Sequence, residues 1–163
     1  MNRLILSGLL LFTSCLLPAL SFAEKPPPPK PLAERVNLST RVFIGRAKRV
    51  QACKVIAGKI QEITPEPSHT SPGIVLEIEA TVEETLYPLG GQEPQTVTII
   101  YAPGIIPIGE VRKALLAEDF VYLTRLQLFG ADAFLIPSYP WHLVERLSAK
   151  AEIVAALKKR TPR

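Results

Sequence analysis

The side chains in this chain that could do chemistry are two histidines, one cysteine beyond the first 23 residues, and a run of carboxylates. His69, His142 and Cys53 stand far apart, with no neighbour at the short spacings from which zinc sites are assembled. Glu83 and Glu84 are adjacent, and neighbours on a strand point to opposite faces, so they cannot work as general acid and base from one side. Glu77, Glu79 and Glu83 share a face, which reads as the solvated side of a sheet. No G-x-S-x-G elbow and no glycine-rich phosphate loop occurs. The expectation is therefore no catalysis, no metal and no cofactor.

Binding chemistry is better represented. Arg46, Lys48, Arg49 and Lys54 form a basic cluster that could grip an anion, although the same charges on a strand edge would also discourage unwanted pairing. Residues 102–109, APGIIPIG, hold two prolines and two glycines, which forbid regular structure, yet three isoleucines sit among them. Such a loop either lies over the end of the core or serves as a contact surface. The candidate partner-binding residues are Ile105, Ile106 and Ile108, with Arg46, Lys48 and Arg49.

The elements that must position them centre on residues 73–103. Ile74, Leu76, Ile78, Ala80 and Val82 recur every second residue with polar residues between, the pattern of a half-buried strand. A turn over Tyr87–Gly91 leads to a second β-branched run, Thr96–Tyr101. Upstream, Arg41–Val50 predicts a first strand whose alternation loses phase at Gly45, a sign of a bulge or bend. Gln61–Pro72 reads as loop. Glu110–Leu116 reads as a short helix with Val111, Leu115 and Leu116 inward, and Phe120–Leu128, apolar on both faces through Leu123, as a central strand. A turn over Phe129–Asp132 returns Ala133–Ile136 as a fifth strand. Trp141 is expected to pack a final helix, Ala149–Arg160 capped by Ser148, onto the barrel; Ile153, Val154 and Leu157 form its inward stripe.

The amino terminus has the form of a secretory signal. Asn2 and Arg3 give the positive end, Leu4–Phe12 the apolar run and Ser21–Ala23 the cleavage site before Glu24. Phe12–Cys15 weakly resembles a lipobox, but the apolar Leu16–Ala23 would then replace the usual polar spacer. The remaining chain has no transmembrane segment. Losing Arg3 leaves 18 basic and 15 acidic side chains, a formal +3, which argues for solubility and little more. Cys53 alone cannot form an internal disulfide, so a bacterial envelope protein, periplasmic or secreted, that relies on its core is the expected class. Cys53 itself reads as an apolar filler and not a reactive thiol. The domain plan is a signal over 1–23, a proline-rich linker over 24–37 and one domain over 38–163.

Five strands, a bent first strand and a short helix between the third and fourth predict a mainly β protein, a five-stranded OB-like Greek-key barrel with a carboxy-terminal helix. The segments Val42–Ala47, Ile78–Leu86 and Phe120–Leu123 resemble exported bacterial domains similar to the inhibitory domain of tissue inhibitors of metalloproteinases and the related netrin module. That resemblance covers Arg41 to about Ile136 and implies the fold and a tendency to bind proteins. In the inhibitors an amino-terminal cysteine presents its amine and carbonyl to the protease zinc. Here Glu24 and a proline spacer would stand in that place, so that mechanism does not carry over.

The functional expectation is an exported, non-catalytic domain that binds another envelope protein. The alternatives are a periplasmic inhibitor or immunity protein of a hydrolase, and a binder of an anionic envelope ligand. Nucleic acid is not an expected partner, since the aromatics fall mostly at core or turn positions and not on an exposed basic platform.

Overall fold

The computed structural model describes residues 28, 30–56, 59–88, 95–129, 132–140 and 142–160. Residues 1–27 with the expected signal, Pro29, the tips of the three hairpin turns, Trp141 and residues 161–163 lie outside them. The elements are α1 (Leu32–Leu38), β1 (Arg41–Ile56), β2 (Lys59–Glu62), β3 (Ile74–Tyr87), β4 (Thr96–Tyr101), α2 (Ile108–Ala117), β5 (Phe120–Phe129), β6 (Asp132–Pro137), β7 (Val144–Arg146) and α3 (Lys150–Lys158).

The strands run in the order β2-β1-β3-β4-β6-β5-β7, and β1 also pairs with β5. That extra pairing closes β1, β3, β4, β6 and β5 into a five-stranded barrel, with β2 and β7 as short additions at its edges. Neighbours are antiparallel except β4 and β6, which meet in parallel at Ile99 and Leu135. With α2 between the third and fourth barrel strands and α3 at the end, this is the OB-like barrel the sequence predicts.

The alternation along β3 does what period two requires. Leu76, Ile78 and Ala80 are buried in the barrel with Val97 and Ile99 from β4, and Ile74 and Val82 pack at the margins. β1 and β5 depart from alternation because both of their faces are covered. Phe43, Phe120 and Tyr122 point into the barrel, while Val42, Ile44, Val121 and Leu123 point outward into a second cluster with Val36 of α1 and Ile153 of α3. The apolar run at Phe120–Leu123 is thus two half-patterns interleaved.

Several boundaries differ from the expected ones. β1 continues to Ile56 and pairs with β2, so Gln61 and Glu62 are strand and not loop. The short Lys59–Glu62 segment has one half-buried residue and no periodicity to announce it. The stretch expected to be linker through residue 37 contains α1, whose Val36 is fully buried. α2 begins at Ile108, directly after Pro107, since proline suits the position before a helix and has no N–H to satisfy. Ser148 does not cap α3. It lies in a 3-10 turn, Leu147–Ala149, and Ala149 precedes the helix without a side-chain cap.

Candidate contact surface at one end of the barrel

Two loops meet at the barrel end where β1 finishes and β3 begins. One joins β2 to β3 and the other joins β4 to α2. Thr70, 1% exposed, binds them together. Its amide donates to the Ile106 carbonyl at 2.9 Å, its Oγ1 accepts from the Ile106 amide at 2.9 Å, and its hydroxyl donates to the Gly104 carbonyl. The Ile108 amide donates to the Ser68 carbonyl at 3.0 Å, and His69 faces Pro107 in a single antiparallel bridge. Gly104, at φ +81°, makes the left-handed step that L side chains resist. The outcome is a pinned backbone that presents Ile105 to solvent at 71% exposure.

The three isoleucines therefore part ways. Ile108 is 1% exposed and belongs to the main core, Ile106 is half-buried, and Ile105 stands free. Beside them runs an open groove of about 570 Å³ between Glu66–His69 and Pro107–Arg112. Glu66 fixes its floor by accepting from the Ala52 amide at 3.1 Å and from the Arg112 guanidinium, while Arg112 Nε donates to the Val50 carbonyl at 2.9 Å. Those contacts, led by Arg112, hold the Glu66 carboxyl below its ordinary pKa. Neither Thr70 nor Glu66 and Arg112 carry any pattern in the sequence. Each works through two or three polar contacts with residues distant in the chain.

The basic residues lie along β1. Opposite Ala80 and Glu79 on β3, β1 places Ala47 and Arg49 and leaves Lys48 unpaired, so a bulge turns both Lys48 and Arg49 to solvent. Arg46 Nε donates to Asp119 at 2.7 Å, and Arg49 faces Glu62 at 3.6 Å. Two of the three candidate cations thus already have carboxylates beside them.

His142 lines a second, smaller groove of about 270 Å³ with apolar residues of α2 and β7 and with Tyr101; among the described residues, no carboxylate lines it. His69 lies across the larger groove, next to the Ser68 hydroxyl at 3.0 Å. Among the described residues, no group of three or more histidine, cysteine or acidic side chains is placed to hold a metal ion. No described helix is long and apolar enough to cross a membrane.

Cys53 is fully buried, but it is not surrounded by hydrocarbon alone. Its Sγ donates toward Glu77 Oε2 at 3.5 Å, and the same oxygen accepts from Gln51 Nε2 at 3.1 Å. Burial first, then Glu77, pushes the thiol up to about 11 from an ordinary 9.0. At pH 8 the thiolate is scarce and shielded, so a disulfide reagent is expected to label Cys53 at least about a hundredfold faster in denaturant than in the folded protein. Comparable rates in both states would mean that β1 opens readily at its far end.

With this geometry in view, the class is an OB-like barrel bearing a rigid apolar loop beside an open groove. No protein-family model, no curated protein and no solved structure matches the chain.

Proposed function

We propose that the chain is an exported, non-catalytic OB-type binding module that docks another protein of the cell envelope through the Pro103–Pro107 loop. The observation that carries this reading is an isoleucine held out at 71% exposure by a loop whose backbone is bonded on both sides of it. Fixing an apolar side chain before contact removes an ordering cost from binding. The groove beside Ile105 offers a recess for the partner's own side chains. The likeness of Val42–Ala47, Ile78–Leu86 and Phe120–Leu123 to netrin-type modules favours a protein target over a small molecule. Inhibition of a hydrolase, or immunity to one, is a narrower form of the same reading. The anionic-ligand alternative has less support, because Arg46 and Arg49 already face Asp119 and Glu62.

Ile105→Ser tests the proposal. Stability is expected to change by less than about 0.5 kcal/mol, as for an exposed position. Recovery of a protein partner captured by the wild-type chain is expected to fall about tenfold or more. An unchanged set of partners at unchanged yield would remove this loop as the contact surface.

A further inference from the structure

The arm formed by the end of β1 and by β2 carries apolar side chains out past the barrel wall. The last residue of β1 paired to β3 is Lys54, opposite Ile74. Val55 and Ile56 continue beyond it, paired to β2 alone, opposite Ile60 and Lys59. They are 39% and 50% exposed, although valine and isoleucine are among the residues most often buried. Residues 57 and 58, between the two strands, lie outside the described residues.

Side chains alternate along both strands, which fixes what each face of the arm presents. Val55 and Ile60 share one face, and Lys54, Ile56 and Lys59 share the other. Both lysines are exposed, and neither makes an ion pair among the described residues. Residues 41–61 contain lysines and arginines and no Asp or Glu. Further back along β1, Arg46 and Arg49 are matched by Asp119 and Glu62, while Lys54 and Lys59 are not matched.

Three kinds of occupant could cover these apolar side chains. A second copy of the chain would bring Lys54 and Lys59 against the same lysines, which repel. A protein surface covers one face of a strand pair, whereas Val55 and Ile56 point to opposite faces. An anionic bilayer surface suits both observations, because headgroups surround an arm on every side and attract its lysines. Two residues of strand rise about 7 Å, the depth to which interfacial elements enter the headgroup layer. We propose that this arm is a membrane-surface anchor: Val55 and Ile56 enter the headgroup layer of an anionic phospholipid bilayer, and Lys54 and Lys59 pair with lipid phosphates. The arm is a separate element from the loop that carries Ile105, and its lipid contact does not depend on that loop.

The test is sedimentation of the chain from Glu24 onward with vesicles of phosphatidylcholine and phosphatidylglycerol in equal parts, against vesicles of phosphatidylcholine alone. Starting at Glu24 removes the apolar Leu4–Phe12 run, which would bind lipid by itself, and keeps every described residue. Binding to the mixed vesicles is expected to exceed binding to the neutral ones by about tenfold or more. Val55→Ser with Ile56→Ser leaves the charge unchanged and is expected to weaken binding by about tenfold. Lys54→Gln with Lys59→Gln is expected to weaken it at least as much, since each lysine at an anionic surface is worth about fivefold. Lys158→Gln with Lys159→Gln makes the same change of charge at the exposed end of α3. In about 0.1 M salt, which screens charges more than about 10 Å away, that pair is expected to leave binding within about twofold. All six side chains are exposed, so the urea midpoint is expected to stay unchanged in each variant. No preference for the anionic vesicles, or undiminished binding by the Val55→Ser, Ile56→Ser chain, overturns the anchor. An equal loss from the Lys158 and Lys159 pair overturns it too, because net charge alone then carries the binding. A dimer in solution that the two serines dissolve, with no vesicle binding, assigns the arm to a second copy and overturns it as well.

Discussion

Replacing Gly45 with alanine is expected to lower the stability of this protein by about 3 kcal/mol or more, at the upper end of what overpacking costs. A Cβ at that position would sit 1.9 Å from the Thr81 carbonyl oxygen and 3.1 Å from its carbon. Both are backbone atoms of β3, so no side-chain rotation relieves the overlap. Gly45 is also the point where β1 is paired on both sides, to Val82 of β3 and to Phe120 of β5. Moving β1 away from β3 pushes it toward β5, and the closed barrel has no free edge along which to relax. The check is the shift in urea midpoint at constant slope. A loss below about 1 kcal/mol would mean that the two strands separate there at small cost.

Phe43→Ala is expected to cost about 3–5 kcal/mol, the usual range for deleting a buried aromatic ring. Phe43 is fully buried in the barrel and lies flat on Tyr122, with centroids 4.9 Å apart and planes 7° apart. Removing it leaves a hole between β1 and β5, the pair that closes the barrel. Against a typical total of about 5–15 kcal/mol, that is a large share of the stability. Tyr122→Phe supplies the contrast. The Tyr122 hydroxyl is buried near the Ala47 amide without closing a hydrogen bond, and burial drives its pKa upward. Deleting that oxygen keeps the stack and removes an unpaired polar atom, so stability is expected to hold or to rise by about 1 kcal/mol. Were Tyr122→Phe as damaging as Phe43→Ala, the hydroxyl would be contributing a bond and the stack would matter less than claimed.

Legibility in the sequence followed the kind of contact involved. The glycine that fits between β1 and β3 was visible as the place where β1 loses its phase. Its reason, a carbonyl oxygen from residue 81, was not. The apolar loop at 102–109 was visible as a candidate, but all three isoleucines looked equivalent. Thr70, bonding to Gly104 and Ile106, and Ser68, accepting from the Ile108 amide, separate exposed Ile105 from buried Ile108. The basic run at 46–49 was legible too. The bulge at Lys48 and the carboxylates of Asp119 and Glu62 that face Arg46 and Arg49 were not.

Taken by itself, the sequence determined the strands with a repeated apolar pattern, their approximate order, and hence a five-stranded barrel with a helix before its fourth strand. Period two is a local property, and a half-buried strand needs only its own residues to declare it. The tertiary structure decided the second cluster under α1 and α3, the pinning of the loops by Thr70, and the hydrogen bond from Tyr139 to the Pro28 carbonyl. Each of these joins residues distant in the chain through a few hydrogen bonds or single buried side chains. A contact made once leaves no period to read.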